Sequence, residues 1–575
     1  MVLGRPARSN DSIPTKREPM QQLTIAFTGG EVFDGSGADP VRTDVGVIGD
    51  RIAAVGIDEV AALIGSETRV VDLSGGLLLP GLVDSHVHPV EGGLERLGCD
   101  LSDGWTREDY LATVRAYVEA NPDVPWILGG GWQMAAFPGG FPLAADLDAI
   151  CSDRPMAISN RDHHSTWVNT AALRLAGITR DTPDPADGTI ERDADGEPTG
   201  TLHEGARMLV LGLAPEPTHA DMYAALMSAQ DYLHAFGITG WQDALIGDYG
   251  NHSAQEVHVY REAIERDELH ARVNGALWWD RTRGEEQIPE LEAVRREFQG
   301  DRFRITTIKI MQDGVVENRT AAVSVPYLAA GCACGDTGDT GISFVEPELL
   351  NRIVTRFDAD GLQAHFHAIG DRGVSECLDA VAAARAANGD TGATHHIAHL
   401  QMVHPDDVTR FGALRVAANM QALWASYDPQ MVDLNVPLIG EDRTEWQYPF
   451  RSIAEAEGQL VAGSDWPVTT ADPWLGIHVA VNRQHPEGHP DRNERVFVPG
   501  ERLGLGEALR AYTRGGAEIN GWEHEVGTIA PGFAADLTVV DRNPFAGPVS
   551  EIARTRTVET FSRGRSVFRA PDPAE

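Results

Sequence analysis

A chain of 575 residues is long enough for a catalytic domain of about 250 residues together with a smaller domain. Its hydrophobic share of 42% and charged share of 23% are those of a globular protein, and no apolar run approaches the ~18 residues of a membrane helix. The formal net charge of −39 argues against nucleic acid and anionic membrane surfaces as partners, because both would be repelled.

The N-terminal segment has basic side chains but no apolar stretch behind them. A secretion signal needs such a stretch, so residues 1–22 are predicted to be a disordered leader and the protein is predicted to be cytoplasmic. Five cysteines scattered along such a chain do not predict a disulfide framework. Cys332 and Cys334 lie in a glycine-rich loop and could bind a soft metal, but the lack of a second nearby pair favours two free thiols.

Both ends of the chain carry short β-type runs separated by turn residues. Residues 23–80 contain LTIAFTGG, DVGVIGD, RIAAVG and TRVVDLSGG, and residues 520–575 contain GTIAPGFAADLTVVDRNP and TVETFSRGRSVFRA. Short runs of this kind, bounded by Gly and Asp, are typical of strands in small all-β units. We therefore predict one β-sandwich domain built from residues 23–80 and 520–575.

Residues 81–519 alternate apolar, strand-like runs with amphipathic helical patterns. PWILGGG, RPMAISN, RFRITTIKI, LQAHFHAIG, HHIAHLQ, LRVAANM and QLVAGSD are strand-like, whereas PELLNRIVTRFDAD and GVSECLDAVAAARAAN have helical apolar spacing. This repetition predicts an α/β fold with a βα barrel, whose active site lies at the carboxyl ends of the strands. Residues from about 95 to 225 are rich in Gly, Pro and Asp and are predicted to form a large insertion near the barrel mouth.

Histidines and an aspartate recur where apolar strands give way to loops. His86 and His88 in GLVDSHVHP are two residues apart, which puts both side chains on one face of a strand. Such a pair alone is often no more than two polar residues in a cavity. Further examples are His365 and His367 in QAHFHAIGD, His399 in HHIAHLQ and Asp465 in VAGSDWP. Because a barrel gathers strand ends around one mouth, and neutral imidazole and carboxylate groups bind zinc, we predict a divalent metal site.

The chain contains two lysines, Lys16 in the leader and Lys309 in the apolar run ITTIKIMQDG. Burial lowers the pKa of a lysine, and a neutral lysine amine can add CO2 to form a carbamate that bridges two metal ions. Arginine cannot form a carbamate, which accounts for a lysine in a chain that otherwise uses arginine. The alternative is a buried ion pair with an acid such as Asp313 or Glu317, but the surrounding histidine and aspartate motifs favour the carbamate.

Together these motifs resemble the amidohydrolase superfamily, in particular its branch of YtcJ-like proteins and N-substituted formamide deformylases (amidohydrolase family 3). The resemblance rests on GLVDSHVHP, IKIMQDGVVENRTA, HFHAIGDRGV, HHIAHLQMVHPDD, VAGSDWPV and EALRAYTRGGAEINGWEHEVGTIAPGFAADLTVVDRNP, and it covers the chain after the leader. It implies a distorted TIM (β/α)8 barrel, a β-sandwich from both chain ends and a metal centre at the strand ends. A homodimer is a further implication.

The resemblance also implies the ligands and the mechanism. One metal would take His86, His88 and Asp465, a second would take His367 and His399, and carbamylated Lys309 would bridge both. Two zinc ions are expected, with manganese or another divalent ion as alternatives, although relatives differ in the bridging residue and in binding one or two metals. A water acidified between the metals would attack a carbonyl carbon, with Asp465 as general base and then general acid. His365 is expected to lie behind the metal site.

The substrate is expected to contact the insertion and the barrel loops. The predicted lining residues are His164, Trp132, His163, Asp313, Arg319 and Trp466. His164 ranks first because it matches a histidine of the family's insertion motif, whereas ordinary packing is an equal alternative for the tryptophans. Glu204 in PTGTLHEGA is a further candidate for a metal or substrate contact, with a surface acid as the favoured alternative.

The function implied is metal-dependent hydrolysis of a C–N bond in an amide, formamide or cyclic amide of a small molecule. The tryptophans in Gly- and Pro-containing loops favour an apolar or aromatic substituent on the substrate nitrogen. An ester or lactone hydrolase would use the same centre, whereas a mononuclear deaminase has no need of a bridging lysine. A metal-free assembly protein on the same scaffold should lack the ligands, and all of them are present here. No nucleic acid or membrane partner is predicted.

Overall fold

The structure is a computed structural model that describes residues 22–247, 255–329 and 338–571. Cys332, Cys334 and nearly all of the predicted leader lie outside these residues. The cysteines within them, Cys99, Cys151 and Cys377, are buried free thiols.

The centre of the molecule is a barrel of eight parallel strands. In chain order these are β1 (Leu82–Val87), β2 (Ile238–Ile246), β3 (Arg272–Trp278), β4 (Phe303–Met311), β5 (Gln363–Ala368), β6 (His396–His399), β7 (Ala417–Met420) and β8 (Gln459–Ala462). Each strand pairs in parallel with the next one along the chain, from β1 to β8. The strands are almost wholly buried, because a parallel sheet of this kind is covered on both faces. The predicted α/β fold with a TIM-type barrel is confirmed.

Loop contacts join the last barrel strand to the first. The backbone N–H of Asp465 donates to the carbonyl oxygen of His86 at 2.7 Å. The backbone N–H of Ser464 donates to the carboxylate of Asp84, which is fully buried in β1, at 3.0 Å. The strand ends that carry His86 and Asp465 are therefore held together by one backbone–backbone hydrogen bond and by the carboxylate of Asp84.

Helices pack on the outside of the barrel, and local sequence accounts for their ends. The helix His219–Ala235 begins after Thr218, which forms a capping box with Asp221. The helix Pro347–Ala359 has its proline in the first turn, where the missing backbone donor is not needed. The other α-helices, some of which pack on the sandwich or the insertion sheet, are Ile57–Ala61, Pro89–Leu97, Arg107–Ala120, Ala144–Asp148, Thr170–Leu175, Met208–Leu211, Glu256–Glu265, Ile288–Glu297, Asp371–Asn388, Val408–Leu414, Val436–Ile439, Glu441–Thr444, Phe450–Glu455, Pro473–Asn482, Leu505–Arg510 and Gly516–Ile519. In the described part of the chain, no helix combines the length and apolar character needed to cross a membrane.

Two further sheets form a sandwich from both ends of the chain. One has the strand order Arg51–Val55, Val45–Ile48, Ile25–Thr28, Arg69–Asp72. The other has the order Arg565–Arg569, Thr557–Ser562, Leu537–Val540, Leu77–Pro80, Glu31–Val32, Val41–Arg42. Leu77–Pro80 pairs antiparallel with Leu537–Val540, so the two chain ends share one sheet. They also share one core, in which the rings of Phe27 and Phe561 meet edge to face at 5.1 Å.

The insertion folds into a sheet of its own between β1 and β2. Its strand order is Gly188–Arg192, Pro198–Glu204, Ser165–Val168, Met156–Asn160, Ile127–Trp132, Cys99–Asp100. The runs PWILGGG and RPMAISN therefore belong to this sheet and not to the barrel. Their places in the barrel are taken by β2 and β3, which do not stand out in the sequence because glycine and polar residues interrupt them.

A buried ion pair connects the barrel to the sandwich. Arg272 begins β3 and Asp536 immediately precedes the sandwich strand Leu537–Val540. Both side chains are almost fully buried, and Nε of Arg272 lies 2.9 Å from Oδ2 of Asp536. The other oxygen of Asp536 accepts a hydrogen bond from the backbone N–H of Arg563 at 2.5 Å. One carboxylate thus holds residues of both domains.

Replacing Asp536 by alanine removes the buried partner of the Arg272 guanidinium and leaves only the more exposed Glu525, at 3.2 Å, and Asp301, at 3.7 Å, among its ion pairs in the described residues. We expect the free energy of unfolding to fall by about 3 kcal/mol, because an uncompensated buried charge is costly. Urea unfolding followed by fluorescence measures the change. Glu455→Ala, which removes the exposed ion pair with Arg451, is the control and should not shift the midpoint. Equal midpoints for the two variants would contradict the connecting role of Asp536.

Candidate metal centre

The predicted ligands meet at the carboxyl ends of the barrel strands. His86 lies in β1 and His88 follows it, Lys309 lies in β4, His367 lies in β5, His399 ends β6, and Asp465 lies just beyond β8. All of them line one cavity of about 1560 Å³ at the barrel mouth. Residues far apart in sequence are thus brought to a single site, as the barrel geometry predicts.

His86, His88 and Asp465 form the tightest group. Nε2 of His86 and Nε2 of His88 each lie 3.1 Å from Oδ1 of Asp465. Burial, together with the charge of Lys309, lowers the pKa of His86 to about 3, so its imidazole is neutral at neutral pH. Neutral imidazoles around a carboxylate are a donor set suited to zinc.

His399 and His367 extend this group. Their ring centroids are 4.4 Å apart, and Nδ1 of His399 lies 3.8 Å from Oδ2 of Asp465. Burial holds the pKa of both imidazoles well below the ordinary value. The indole of Trp424 stacks on His399, with centroids 5.4 Å apart and 23° between the planes. Trp424 is not among the predicted site residues, because no local pattern connects it to a ligand.

Lys309 is buried beside His86, with 4% of its surface exposed and its Nζ 3.4 Å from Nε2 of His86. Burial lowers the pKa of Lys309 to about 7, although the charge of Asp465 opposes this. A large fraction of the amine is therefore neutral near neutral pH. Within the described ranges Lys309 forms no ion pair with an acid, and the carboxylates of Asp313 and Glu317 bond to other groups. The ion pair of Lys309 with Asp313 or Glu317, which was the alternative to a carbamate, is therefore not found.

The buried nitrogens of the site that have no hydrogen-bond partner include Nε2 of His367 and Nδ1 of His399. A buried polar atom without a partner costs about 1–3 kcal/mol, which a metal ion at these nitrogens would offset. One ligand atom from each of His86, His399 and Asp465 lies within 4.8 Å of the others. The side chains present therefore fit a divalent metal centre.

His365 supports this group from behind. It is completely buried, it does not line the cavity, and its Nε2 lies 2.8 Å from Nδ1 of His86. This contact engages Nδ1 of His86 and directs Nε2 of the same ring toward Asp465 and Lys309. His365 lies where the sequence placed it, behind the ligands.

Four of the predicted substrate residues line the cavity, namely His163, His164, Trp132 and Trp466. Trp132 is fully buried, and its indole N–H donates to the carbonyl oxygen of Ile158 at 2.8 Å, so packing accounts for most of its surface. The ring of Trp466 packs on Tyr232, with centroids 5.0 Å apart. Of the two tryptophans, Trp466 lies next to the predicted ligand Asp465 in the chain.

Asp313 and Arg319 do not line the cavity, which corrects their predicted position. The carboxylate of Asp313 is completely buried and accepts hydrogen bonds from the backbone N–H groups of Ala322, Ile369 and Gly370 at 2.9, 2.9 and 2.8 Å. It therefore ties the loop after β4 to the loop after β5. Arg319 lies in the first of these loops with a left-handed φ of 57°. Both residues were predicted from their closeness in sequence to Lys309, which does not determine the direction of a side chain.

Glu204 is buried, with 7% of its surface exposed, and is not the surface acid that the sequence favoured. Its two carboxylate oxygens lie 2.9 and 3.0 Å from Nδ1 of His164. Burial by itself would lower the pKa of His164, but the charge of Glu204 and its hydrogen bond outweigh this and raise it. The pair spans 40 residues of sequence, so no local motif reveals it.

His163 is held between two glutamates of the helix Pro89–Leu97. Its Nδ1 lies 2.8 Å from Oε1 of Glu91 and its Nε2 lies 3.0 Å from Oε1 of Glu95. Burial opposes the charged ring, but the two carboxylates raise the pKa of His163 well above its ordinary value. The helix follows His88 directly, so this bridge ties the insertion to the segment that carries a predicted ligand. Glu91 and Glu95 are four residues apart, just after the histidine motif. This i, i+4 spacing places both acids on one face of the helix and is the sequence signal that could have predicted their pairing.

A second group of potential ligands, His485, His489 and Asp491, also lines the cavity. The rings of His485 and His489 are parallel, with centroids 4.3 Å apart and 6° between the planes. The lone pairs of parallel stacked rings do not converge on one point, so this arrangement is unsuited to a metal ion. The group at the barrel mouth is the metal centre that the described residues support.

Comparison with known proteins agrees with this geometry. A model of the amidohydrolase family matches residues 69–568. The putative amidohydrolase YtcJ of Bacillus subtilis (strain 168) is 30% identical over 87% of this chain and 91% of its own length. The N-substituted formamide deformylase of Arthrobacter pascens is 26% identical over 90% of this chain and 93% of its own length.

Among solved structures, an uncharacterized metal-dependent hydrolase from Pyrococcus furiosus superposes with a TM-score of 0.66 at 25% identity. The match covers 90% of this chain and 99% of that one. The resemblance inferred from the sequence motifs, and the enzyme class it implies, are confirmed. The chain belongs to the amidohydrolase family of hydrolases.

Proposed function

We propose that this protein cleaves the C–N bond of an amide, formamide or cyclic amide in a metal-dependent hydrolysis. The observation that most supports the proposal is the convergence of the predicted ligands, from five barrel strands or their loops, on one cavity. A relative named N-substituted formamide deformylase, similar over 90% of this chain, supports an N-substituted substrate.

The cavity favours an apolar or aromatic group on the substrate. Apolar and aromatic side chains lining it include Leu423, Trp424, Met431, Trp466 and Val468. Binding pockets of this composition accommodate hydrophobic groups, while a few polar groups orient the reacting bond. We therefore place the N-substituent against this apolar wall and the carbonyl group near Asp465.

Bound divalent ions would supply Lewis acidity to the substrate carbonyl and would lower the pKa of a coordinated water. We propose zinc, with manganese as the alternative. The residues that would hold two ions are His86, His88 and Asp465 on one side, His367 and His399 on the other, and carbamylated Lys309 between them.

Asp465 would carry the proton transfer. Its carboxylate takes a proton from the attacking water and later delivers a proton to the departing nitrogen, so the water contributes OH to carbon and H to nitrogen. The backbone of Asp465 has a left-handed φ of 58°, and its N–H is bonded to the carbonyl oxygen of His86. These two features hold the backbone at Asp465, and the contacts of its Oδ1 with Nε2 of His86 and Nε2 of His88 orient the carboxylate.

The test is hydrolysis of N-phenylformamide and N-phenylacetamide, with phenyl acetate as the matched ester. We expect aniline release from at least one amide, loss of this activity after metal removal by a chelator, and recovery with zinc or manganese. Elemental analysis should give about two metals per chain. Turnover of the ester alone would favour an ester hydrolase, and a metal-free protein without turnover would favour an assembly role. Amide hydrolysis that persists after verified metal removal would contradict the proposal.

A further inference from the structure

His164 faces the metal centre from the insertion, whereas every predicted ligand comes from the barrel. It directly precedes the insertion strand Ser165–Val168, has 8% of its surface exposed and lines the cavity. Its ring centroid lies 5.4 Å from that of His367, with 41° between the planes. The insertion therefore contributes one imidazole to the space beside the ligands.

The orientation of this imidazole is fixed from two directions. Both oxygens of Glu204 lie within 3.0 Å of Nδ1 of His164, and the backbone N–H of Glu204 donates to the carbonyl oxygen of His164 at 2.9 Å. The hydroxyl of Thr320, in the loop after β4, donates to Oε1 of Glu204 at 2.8 Å. The carboxylate thus connects the insertion to the barrel and engages only the Nδ1 edge of the ring.

The opposite edge of the ring is left for a ligand. Within the described ranges, Nε2 of His164 has no protein hydrogen-bond partner, although the residue is buried and lines the cavity. Glu204 holds its position with φ of 49° and ψ of −127°, a conformation that non-glycine residues rarely adopt. Such backbone strain clusters at functional sites, where the surrounding structure maintains it.

We propose that His164 is a catalytic residue that donates a hydrogen bond from Nε2 to the carbonyl oxygen of the scissile amide, and that Glu204 is its positioning residue. This inference rests on the proposed amide hydrolysis. When water attacks, the C–O bond forms and the π electron pair of the carbonyl moves to its oxygen, where His164 stabilises the charge. When the carbonyl re-forms, the C–N bond breaks with its electron pair on nitrogen, which takes the proton held by Asp465. His164 exchanges no proton in either step.

A similar pair on the same sheet provides the comparison. His203 lies in the strand Pro198–Glu204, with Nε2 3.2 Å from Oε1 of Glu191 and Nδ1 2.7 Å from the hydroxyl of Ser165. His203 is as buried as His164, but it does not line the cavity. A structural role of a buried histidine–glutamate pair should therefore affect both residues, whereas a catalytic role should affect only His164.

The experiment measures kcat, KM, metal content and melting temperature for wild type and four variants on the amide that wild type hydrolyses. We expect His164→Phe to lower kcat about 100- to 1000-fold, as loss of an oxyanion donor does, with KM and metal content little changed. His164→Gln should recover part of this loss, because its amide can donate from nearly the same position. Glu204→Gln should lower kcat about tenfold, since it keeps the shape but weakens the hold on the ring. His203→Phe should lower only the melting temperature.

Binding of N-phenyl methylphosphonamidate, whose tetrahedral phosphorus carries a charged oxygen, gives a readout independent of turnover. Calorimetry should show about 100-fold weaker binding to His164→Phe than to wild type and no change for His203→Phe. A kcat for His164→Phe within threefold of wild type, or a parallel loss of metal, would overturn the inference. If wild type hydrolyses no amide, the proposed function fails, and equal affinity of wild type and His164→Phe for the analogue then rejects the role of His164 as well.

Discussion

Replacing Lys309 by arginine is expected to abolish hydrolysis, with a loss in kcat/KM of about 1000-fold or more, equivalent to ~4 kcal/mol. Arginine keeps the positive charge, but its guanidinium cannot form a carbamate and remains charged when buried. At this position the charge would lie against His86, whose Nε2 is 3.4 Å from Nζ of the lysine. Steady-state kinetics and elemental analysis of wild type, Lys309→Arg and Lys309→Ala, prepared side by side, measure the effect. Both variants should contain fewer metal ions than wild type.

Rescue by a small carboxylate separates a carbamate from a simple amine. Lys309→Ala opens space beside His86, so acetate or propionate added with zinc should restore part of the activity if the lysine acts as a carboxylate. Lys309→Met fills the same space and is the control that should not be rescued. Wild-type activity in Lys309→Arg, or unchanged metal content in Lys309→Ala, would remove the bridging lysine from the mechanism.

Replacing Asp465 by asparagine is expected to lower kcat by about 100- to 10,000-fold while the fold stays intact. Asparagine is nearly isosteric and tolerates the left-handed φ of 58° found at this position, so the backbone contact to His86 should persist. It cannot accept and return a proton. Kinetics, circular dichroism and metal content of the variant, measured together, separate a catalytic loss from unfolding or from loss of metal.

Asp84→Asn is the matched control for Asp465→Asn. Asp84 is a buried carboxylate of β1 whose Oδ1 accepts hydrogen bonds from the backbone N–H groups of Ser464 and His86. Burial raises its pKa to about 7, so it is already partly neutral near neutral pH, and an amide oxygen can replace its acceptor. We expect its activity to fall less than tenfold. An equal loss in both variants would mean that backbone support, and not proton transfer, is the function of Asp465.

Much of the fold could be predicted because its signals are local. The β-type runs at both chain ends predicted the sandwich, and the apolar runs from β4 to β8 predicted the barrel. The runs for β2 and β3 were missed because polar side chains such as Gln242 and Asn274 point into the structure, where they are fully buried. Gln242 donates to the hydroxyl of Thr307 at 3.1 Å, a partner that only the barrel brings near. Strands whose inward-facing side chains are polar are therefore not recognised from hydrophobicity alone.

The sequence by itself determined the family and the positions of the candidate ligands at strand ends. These predictions were possible because the two-residue repeat of a strand and the transition from strand to loop can each be recognised within a few residues of sequence. Which side chains meet was decided only by the tertiary structure. Barrel closure brings His88 within 3.1 Å of Asp465 across 377 residues, and the loops after β4 and β5 enclose Asp313 away from the cavity. Strand pairing within the insertion sheet sets Glu204 against His164. Strand register and the position of the insertion sheet fix these contacts, and no short stretch of sequence encodes them.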